Sequence, residues 1–306
     1  MATRKDVKNR ISSVKNIHKI TRAMEMVAAA RLRRAEQRIE ALRPYARALR
    51  QMTRRATEEV GDISHVPALQ QRENPSKVGI LLVTGDRGLA GAFNTNIIRE
   101  GMRLERQWRS EGAEVAFSVV GRRGDSALTF RGKDIAHAYT GFTDRPAFAN
   151  AREIGEELTA AYVDEELDRV ELVFNRYQSP LTQYVWRQTL LPLQQAEVTG
   201  TGAEEEEPEE EETELEKAHK RALWMYEPEA EELLLRLIPE YVTLSVYRAL
   251  LESSASELGA RMTAMRSAAE NANSMISDLT LEMNRVRQAE ITQEILEVVA
   301  GAEALG

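Results

Sequence analysis

Apolar residues recur at alternating steps of four and three along the last part of the chain: Leu251, Ala255, Leu258, Met262, Met265, Ala269, Ala272, Ile276, Leu279, Met283 and Val286. A strict 3.5-residue repeat keeps one seam facing one partner helix and winds left-handed, so this stretch predicts one helix of a coiled coil. No proline follows Pro239. A helix running from Tyr241 to the end would span roughly 90 Å at the usual rise per residue. That exceeds what a core of this chain's size covers, so the helix must project and be wrapped by something else. Past Val286 the next step lands on Glu290 and the seam breaks. Apolar residues resume at Ile291, Ile295, Val298, Val299, Ala302 and Leu305. This tip is predicted to have outlasted its partner helix, and an unpaired apolar helix end needs another protein around it.

The partner is predicted at the other end of the chain. Residues 3–57 read as one long helix with a stripe at Ile11, Val14, Ile17, Ile20, Met24 and Val27. After a small shift the stripe resumes as Ala28, Leu32, Ala35, Ile39, Leu42, Ala46 and Leu49. Pro44 lies inside the pattern and predicts a bend, because it removes one helical hydrogen bond. The simplest burial for two long stripes in one chain is against each other, antiparallel. Both stripes are rich in Ala and Met, and small residues let helices approach closely.

Between them the pattern changes. Lys77–Val83 (KVGILLV) is a short continuous apolar run and predicts a buried strand. A glycine-rich loop, Gly85–Gly91, follows it. Helix is predicted over 93–110, strand over Val115–Val120, a short helix over Asp125–Arg131, strand over Ile135–Tyr139 and helix over Ala147–Val163. Val170–Tyr177 and Tyr184–Leu191 alternate and predict a hairpin turning at Pro180. Strands alternating with helices of this size predict a small α/β domain with a mostly parallel sheet. The expected fold class is therefore α+β: a long antiparallel coiled coil of N- and C-terminal helices with an inserted small α/β, Rossmann-like domain. The expected divisions are 1–60 for the first coil helix, 76–195 for the α/β domain, 196–226 for an insert, and 227–306 for the closing helix and its tip. Trp224, Met225 and Tyr226 are expected to re-enter the fold.

Charge explains the insert. The 306-residue chain carries a formal net charge of −8. Residues 197–216 hold eleven glutamates and no basic residue, so the remainder is net positive. Like charges at that density repel, and little apolar surface is present to bury, so the insert predicts an exposed, poorly anchored segment. Residues 1–55 hold sixteen Lys and Arg against four Asp and Glu. There is no cysteine, which removes disulfides, thiolate metal sites and cysteine nucleophiles. His18, His65, His137 and His219 show no metal-ligand spacing. No apolar run reaches membrane-spanning length, and the charged start lacks a signal-peptide core. These features predict an intracellular chain, soluble or held peripherally on a membrane complex.

Candidate chemistry is thin. A glycine-rich loop after a first strand can cradle phosphate on backbone N–H groups. Gly85-Asp-Arg-Gly88-Leu-Ala-Gly91 has neither phosphate-binding spacing, and Asp86 would put a carboxylate where phosphate should sit. A tight turn is the expected use, and the Gly121-Arg-Arg-Gly124 stretch is expected to be a surface turn. Most acidic pairs fall on predicted exposed faces, with none tied to a histidine or an apolar pocket. No G-x-S-x-G occurs. No catalytic residue, cofactor or metal is expected. Two other classes stay open from the residues alone: a nucleotide-binding α/β enzyme with a helical dimerisation arm, and a basic coiled-coil tether for nucleic acid. The second is disfavoured by a lone aromatic, Tyr45, among the basic residues of the first segment.

Three stretches resemble the gamma subunit of the F-type ATP synthase: Arg10–Ala35 (RISSVKNIHKITRAMEMVAAARLRRA), Thr84–Ile97 (TGDRGLAGAFNTNI) and Ile291–Leu305 (ITQEILEVVAGAEAL). Tyr226–Glu229 (YEPE) and Ala255–Met265 (ASELGARMTAM) extend the likeness over nearly the whole chain. The acidic insert departs from it, since the family has a shorter connection there. The missing cysteines depart from the chloroplast branch and its regulatory pair, which implies a bacterial-type subunit without thiol switching. The resemblance implies a non-catalytic rotor shaft, one copy per complex. It implies as partners a hexamer of alternating alpha and beta subunits, the epsilon subunit and a ring of membrane c subunits, at the cytoplasmic face of the inner membrane. It also implies beta-subunit contacts at Met24, Arg287, Gln288 and Thr292, and an axle tip carrying Ile291, Ile295, Val298 and Val299. It does not imply the coupling ion, the ring size or the role of the insert.

Overall fold

The structure is a computed structural model that describes residues 3–60, 67–72, 74–193 and 229–303. The acidic insert and Trp224–Tyr226 lie outside the described residues. Elements follow in the order α1 (Arg4–Val60), a short 3-10 turn (Pro67–Leu69), β1 (Lys77–Val83), α2 (Phe93–Ser110), β2 (Glu114–Val120), α3 (Arg122–Phe130), β3 (Ile135–Tyr139), α4 (Phe148–Val163), β4 (Arg169–Tyr177), β5 (Gln183–Leu191) and α5 (Ala230–Glu303). Helix α1 runs through Pro44 and α5 through Pro239 without either ending there. The chain divides into two compact units. One contains residues 1–32, 89–91 and 258–306; the other contains 33–88 and 92–257.

The larger unit is an α/β layer structure. Its five-stranded sheet has the order β3-β2-β1-β4-β5. β1 pairs in parallel with β2 and β4, β2 in parallel with β3, and β5 closes the sheet antiparallel to β4. Central strands of a parallel sheet are covered on both faces and therefore read as continuous apolar runs, and β1 is buried from Val78 to Val83. One face is packed by α2 and α3. Gly101 of α2 lies so close to Leu82 that a Cβ there would meet the leucine methyl carbons at 2.7 and 2.8 Å. The other face is covered by α4 and by the parts of α1 and α5 that belong to this unit. Leu81, Val83, Leu172 and Phe174 form one core with Ile154, Leu158, Leu49, Ala56, Leu234, Ile238 and Val242.

The short helix differs from its sequence reading. Gly121-Arg-Arg-Gly124 is not a surface turn. Gly121 takes φ 92°, a conformation open to glycine, and Arg122–Gly124 form the first turn of α3, three residues earlier than the pattern predicted. A Cβ on Gly121 would meet the Thr84 carbonyl oxygen at 2.4 Å, so the β1 and β2 ends close together only with glycine there.

The smaller unit is a two-helix antiparallel coil. All of the C-terminal seam positions from Leu258 to Val286 are buried or half-buried. The N-terminal stripe needs correction. Ile17, Ile20 and Val27 are exposed at 52, 59 and 52%. The buried line runs instead through Val7, Ile11, Val14, His18, Thr21, Glu25, Ala28 and Leu32, an unbroken alternation of fours and threes with three polar members. No shift of register occurs. The apolar criterion followed the neighbouring ridge because the seam itself turns polar.

Candidate functional site

In open α/β sheets ligands bind outside the carboxyl ends of the strands, at the point where strand order reverses. Here that point lies between β1 and β4, beside the glycine-rich loop. It is filled by the chain itself. The α5 residues Glu252, Ser253, Ser254, Ser256 and Glu257 are 0–6% exposed. The Ser253 hydroxyl donates to the Val83 carbonyl at 3.2 Å, and the Ser256 hydroxyl to the Asn175 carbonyl at 3.2 Å. The Tyr177 N–H donates to Glu252 Oε2 at 3.3 Å. A Cβ on Gly85 would come within 2.6 Å of the Glu257 carboxylate, so this glycine serves close approach of the helix rather than of a phosphate. The cavity left between Val83, Phe93, Pro146, Leu250 and Glu257 is about 10 Å³.

Asp86 completes the exclusion of an anion. Its carboxylate accepts N–H bonds from Gly141 (2.9 Å), Thr143 (3.2 Å) and Arg122 (3.1 Å) and the Thr143 hydroxyl bond (3.0 Å). Burial alone would raise its pKa, but these donors outweigh burial and hold it below the usual carboxylate range. The N–H groups at the α3 N-terminus and on the loop after β3, which a phosphate would use, are occupied by the chain's own side chain.

The second feature is the coil and its end. Arg266 Nε donates to Glu25 Oε1 at 3.0 Å and Arg22 Nη1 to Glu25 Oε2 at 2.7 Å. The Arg266 bond, opposed by burial and aided by Arg22, holds the Glu25 pKa below its ordinary value. In an antiparallel pair this contact sets Glu25 level with Met265, and hence Ile11 level with Leu279 and Val7 with Met283. The layers at His18 and Thr21 face Ala272 and Ala269, and a groove opens there, bordered by His18, Arg22, Arg266, Ala269, Glu270 and Asn273. By the same register Arg4, the first residue of α1, is level with the end of the seam.

The predicted partner residues fall on both sides of that end. Met24 is half-buried in the coil, beside the Glu25 layer. Arg287, Gln288 and Thr292 are exposed, and the Thr292 hydroxyl donates to the Gln288 carbonyl one turn back at 2.9 Å. Ile291, Ile295, Val298 and Val299 are exposed at 48, 58, 72 and 49%, and Leu296 at 62%. Every residue from Ile291 to Ala300 is exposed. The residues that sequence reasoning passed over are Glu25 and Arg266, 241 positions apart, and the polar run Glu252–Glu257. That run ends the mostly apolar stretch from Tyr241 to Leu251, which is the available signal.

An α/β unit whose ligand crevice is filled by its own helix, together with a two-helix coil bearing an uncovered apolar end, has the features of a subunit of a larger assembly. Residues 3–305 match the ATP synthase family model. The chain is 41% identical over 305 residues to the ATP synthase gamma chain of Rubrobacter xylanophilus, covering 100% of this chain and 99% of that one. It is 41% identical over 319 residues to that of Nostoc punctiforme, covering all of both. Among solved structures it resembles a chain of the Tetrahymena thermophila mitochondrial ATP synthase central stalk and c-ring, with TM-score 0.59 and 27% identity over 81% of this chain and 99% of that one. A Euglena gracilis mitochondrial ATP synthase chain shares the fold, with TM-score 0.65 and 20% identity over 99% of this chain and 94% of that one. The chain belongs to the ATP synthase gamma chain family. It is a non-catalytic rotor subunit.

Proposed function

We infer that the chain is the central shaft of a bacterial F-type ATP synthase, seated at the cytoplasmic face of the inner membrane. One copy turns inside a hexamer of alternating alpha and beta subunits, with the epsilon subunit and the c ring as its other partners. Ion-driven rotation of the ring turns the shaft, and the shaft presents different faces to the three beta subunits in turn. Each orientation favours one conformation of each catalytic site, so coupling is differential contact between rotor position and site conformation.

The observation that carries this reading is the end of α5. The helix continues to Glu303 past the start of α1, with its apolar residues from Ile291 to Ala300 uncovered. A greasy end with few fixed polar bonds turns in an apolar collar with little resistance. Arg287, Gln288 and Thr292, at the boundary between paired and unpaired helix, mark rotor position through contacts with the beta subunit, as Met24 does lower on the coil. Among the described residues no helix is long and apolar enough to cross a membrane, so attachment to the membrane runs through the ring.

Removal of the last ten residues tests this. The truncated chain is expected to keep its α/β unit and its melting transition while binding an alpha–beta hexamer about tenfold more weakly, the loss expected for ~1.4 kcal/mol of contact. Hexamer binding unchanged by the truncation, or ATP hydrolysis by the purified chain alone, contradicts the reading.

A further inference from the structure

Glu252–Glu257 pose a problem that membership of a rotor does not solve. Five polar side chains in six positions are buried to 6% exposure or less in one helical stretch. Burying polar groups lowers stability unless each is bonded, and a plain apolar helix would pack as well. What the polar residues add is direction. Apolar packing sets an azimuth by shape alone and yields more readily to small shears of one element along another. Hydrogen bonds and a side chain lodged against a glycine do not.

The bonds come from both sides of the reversal point. Ser253 reaches the end of β1 at Val83, whereas Ser256 and Glu252 reach β4 at Asn175 and Tyr177. Glu257 lies against Gly85 in the loop after β1. Helix α5 is therefore held at two adjacent strand ends, over more than one helical turn, in the crevice where related folds place a ligand. We propose that this crevice is a keyway. It fixes the rotation of α5 about its own axis and its position along that axis, so that torque passes from the sheet to the helix without slip. Ser253, Ser256, Glu257 and Gly85 are positioning residues for coupling, a role that rests on the rotor reading above.

The test uses inside-out membrane vesicles carrying the complete complex, with Ser253→Ala/Ser256→Ala in one preparation and Gly85→Ala in another. ATP hydrolysis is measured with and without gramicidin, which collapses proton and sodium gradients alike. With gramicidin the shaft turns unloaded, and the rate reports folding and assembly. Without it the gradient loads the shaft and slows hydrolysis, so gramicidin stimulates. Losing one or two such bonds costs up to several-fold in an equilibrium. The unloaded rate is expected to stay near that of the parent, and gramicidin stimulation to fall by about twofold or more. Stimulation equal to the parent's at an equal unloaded rate overturns the proposal. So does a parallel loss of both rates, which would assign these residues to assembly. Vesicles from cells lacking the chain separate the two readings: gramicidin stimulation that survives there overturns the rotor reading itself and leaves the keyway without a function.

Discussion

Glu25 and Arg266 join the two helices of the coil across 241 positions of sequence, Nε to Oε1 at 3.0 Å, with unequal burial: 9% side-chain exposure for the glutamate and 48% for the arginine. The asymmetry makes a prediction that a simple count of ion pairs does not. Arg266→Ala leaves a buried carboxylate with Arg22 alone, whereas Glu25→Ala leaves an arginine that water can solvate. Arg266→Ala is expected to destabilise by about 1–2 kcal/mol and Glu25→Ala by less than ~1 kcal/mol. Glu25→Leu, which removes the one charged carboxylate from the seam, is expected to be neutral or stabilising. Thermal unfolding of the purified chain by circular dichroism measures all three. A larger loss for Glu25→Ala than for Arg266→Ala contradicts the burial argument.

Gly85→Ala places a methyl within 2.6 Å of the Glu257 carboxylate. The expected loss of stability is about 1–3 kcal/mol from overpacking. Because the loop and crevice are occupied by Asp86, Ser253 and Glu257, calorimetric titration of the parent chain with ATP is expected to show no binding. A micromolar affinity that Gly85→Ala abolishes would restore the nucleotide-binding alternative.

Asp168 ties the entry of β1 to the entry of β4. It accepts bonds from the Ser76 hydroxyl (2.7 Å), the Ser76 and Lys77 N–H groups (2.8 and 2.9 Å) and Arg72 Nη1 (2.6 Å). Burial opposes ionisation, but these four donors bring its pKa down to about 2 from 3.8. A carboxyl with a depressed folded-state pKa contributes stability that is full above its unfolded value and lost as pH falls to the folded value. The contribution, about 2 kcal/mol at neutral pH, is expected to disappear between roughly pH 4 and pH 2. Urea unfolding of the parent and of Asp168→Asn across that range checks it. An equal acid-dependence in both contradicts the assignment.

Leu172, wholly buried in the interior strand β4, makes a plain test of the α/β core. Leu172→Ala is expected to cost about 2–5 kcal/mol in chemical denaturation. A loss below ~1 kcal/mol would mean that the sheet face under α4 is not packed.

Much of this architecture was readable from pattern alone. The apolar run Lys77–Val83 and the strand at Ile135–Tyr139 match their elements, and the closing seam is buried or half-buried through Val286. Hydrophobic periodicity reports such places directly, because there the burying residues are also the apolar ones. It misled at Ile17, Ile20 and Val27, where the apolar ridge is exposed and the seam passes through His18, Thr21 and Glu25. Arg22, three positions back, supplies one partner of the buried glutamate, but local pattern holds no trace of the other, Arg266. Motif spacing predicts only a turn for the glycine loop. Its actual use, the approach of Glu257, depends on tertiary packing. Glu171, fully buried between Arg169 and Arg187, is likewise invisible to pattern, because Arg187 reaches it from the neighbouring strand. Met24, Arg287, Gln288 and Thr292 are proposed as beta-contacting positions on family resemblance alone, since their exposure or half-burial on a helix would otherwise pass without comment.

The central claim is that this chain turns while other subunits catalyse. The chain has no cysteine, so one introduced at Phe130, which is 90% exposed, gives a single attachment point on it. The labelled chain is assembled with an alpha–beta hexamer fixed to a surface, and a probe on that cysteine is followed during ATP hydrolysis. The account predicts one-directional rotation of the probe that stops when ATP is withdrawn. A probe that stays still while the hexamer hydrolyses ATP would contradict it.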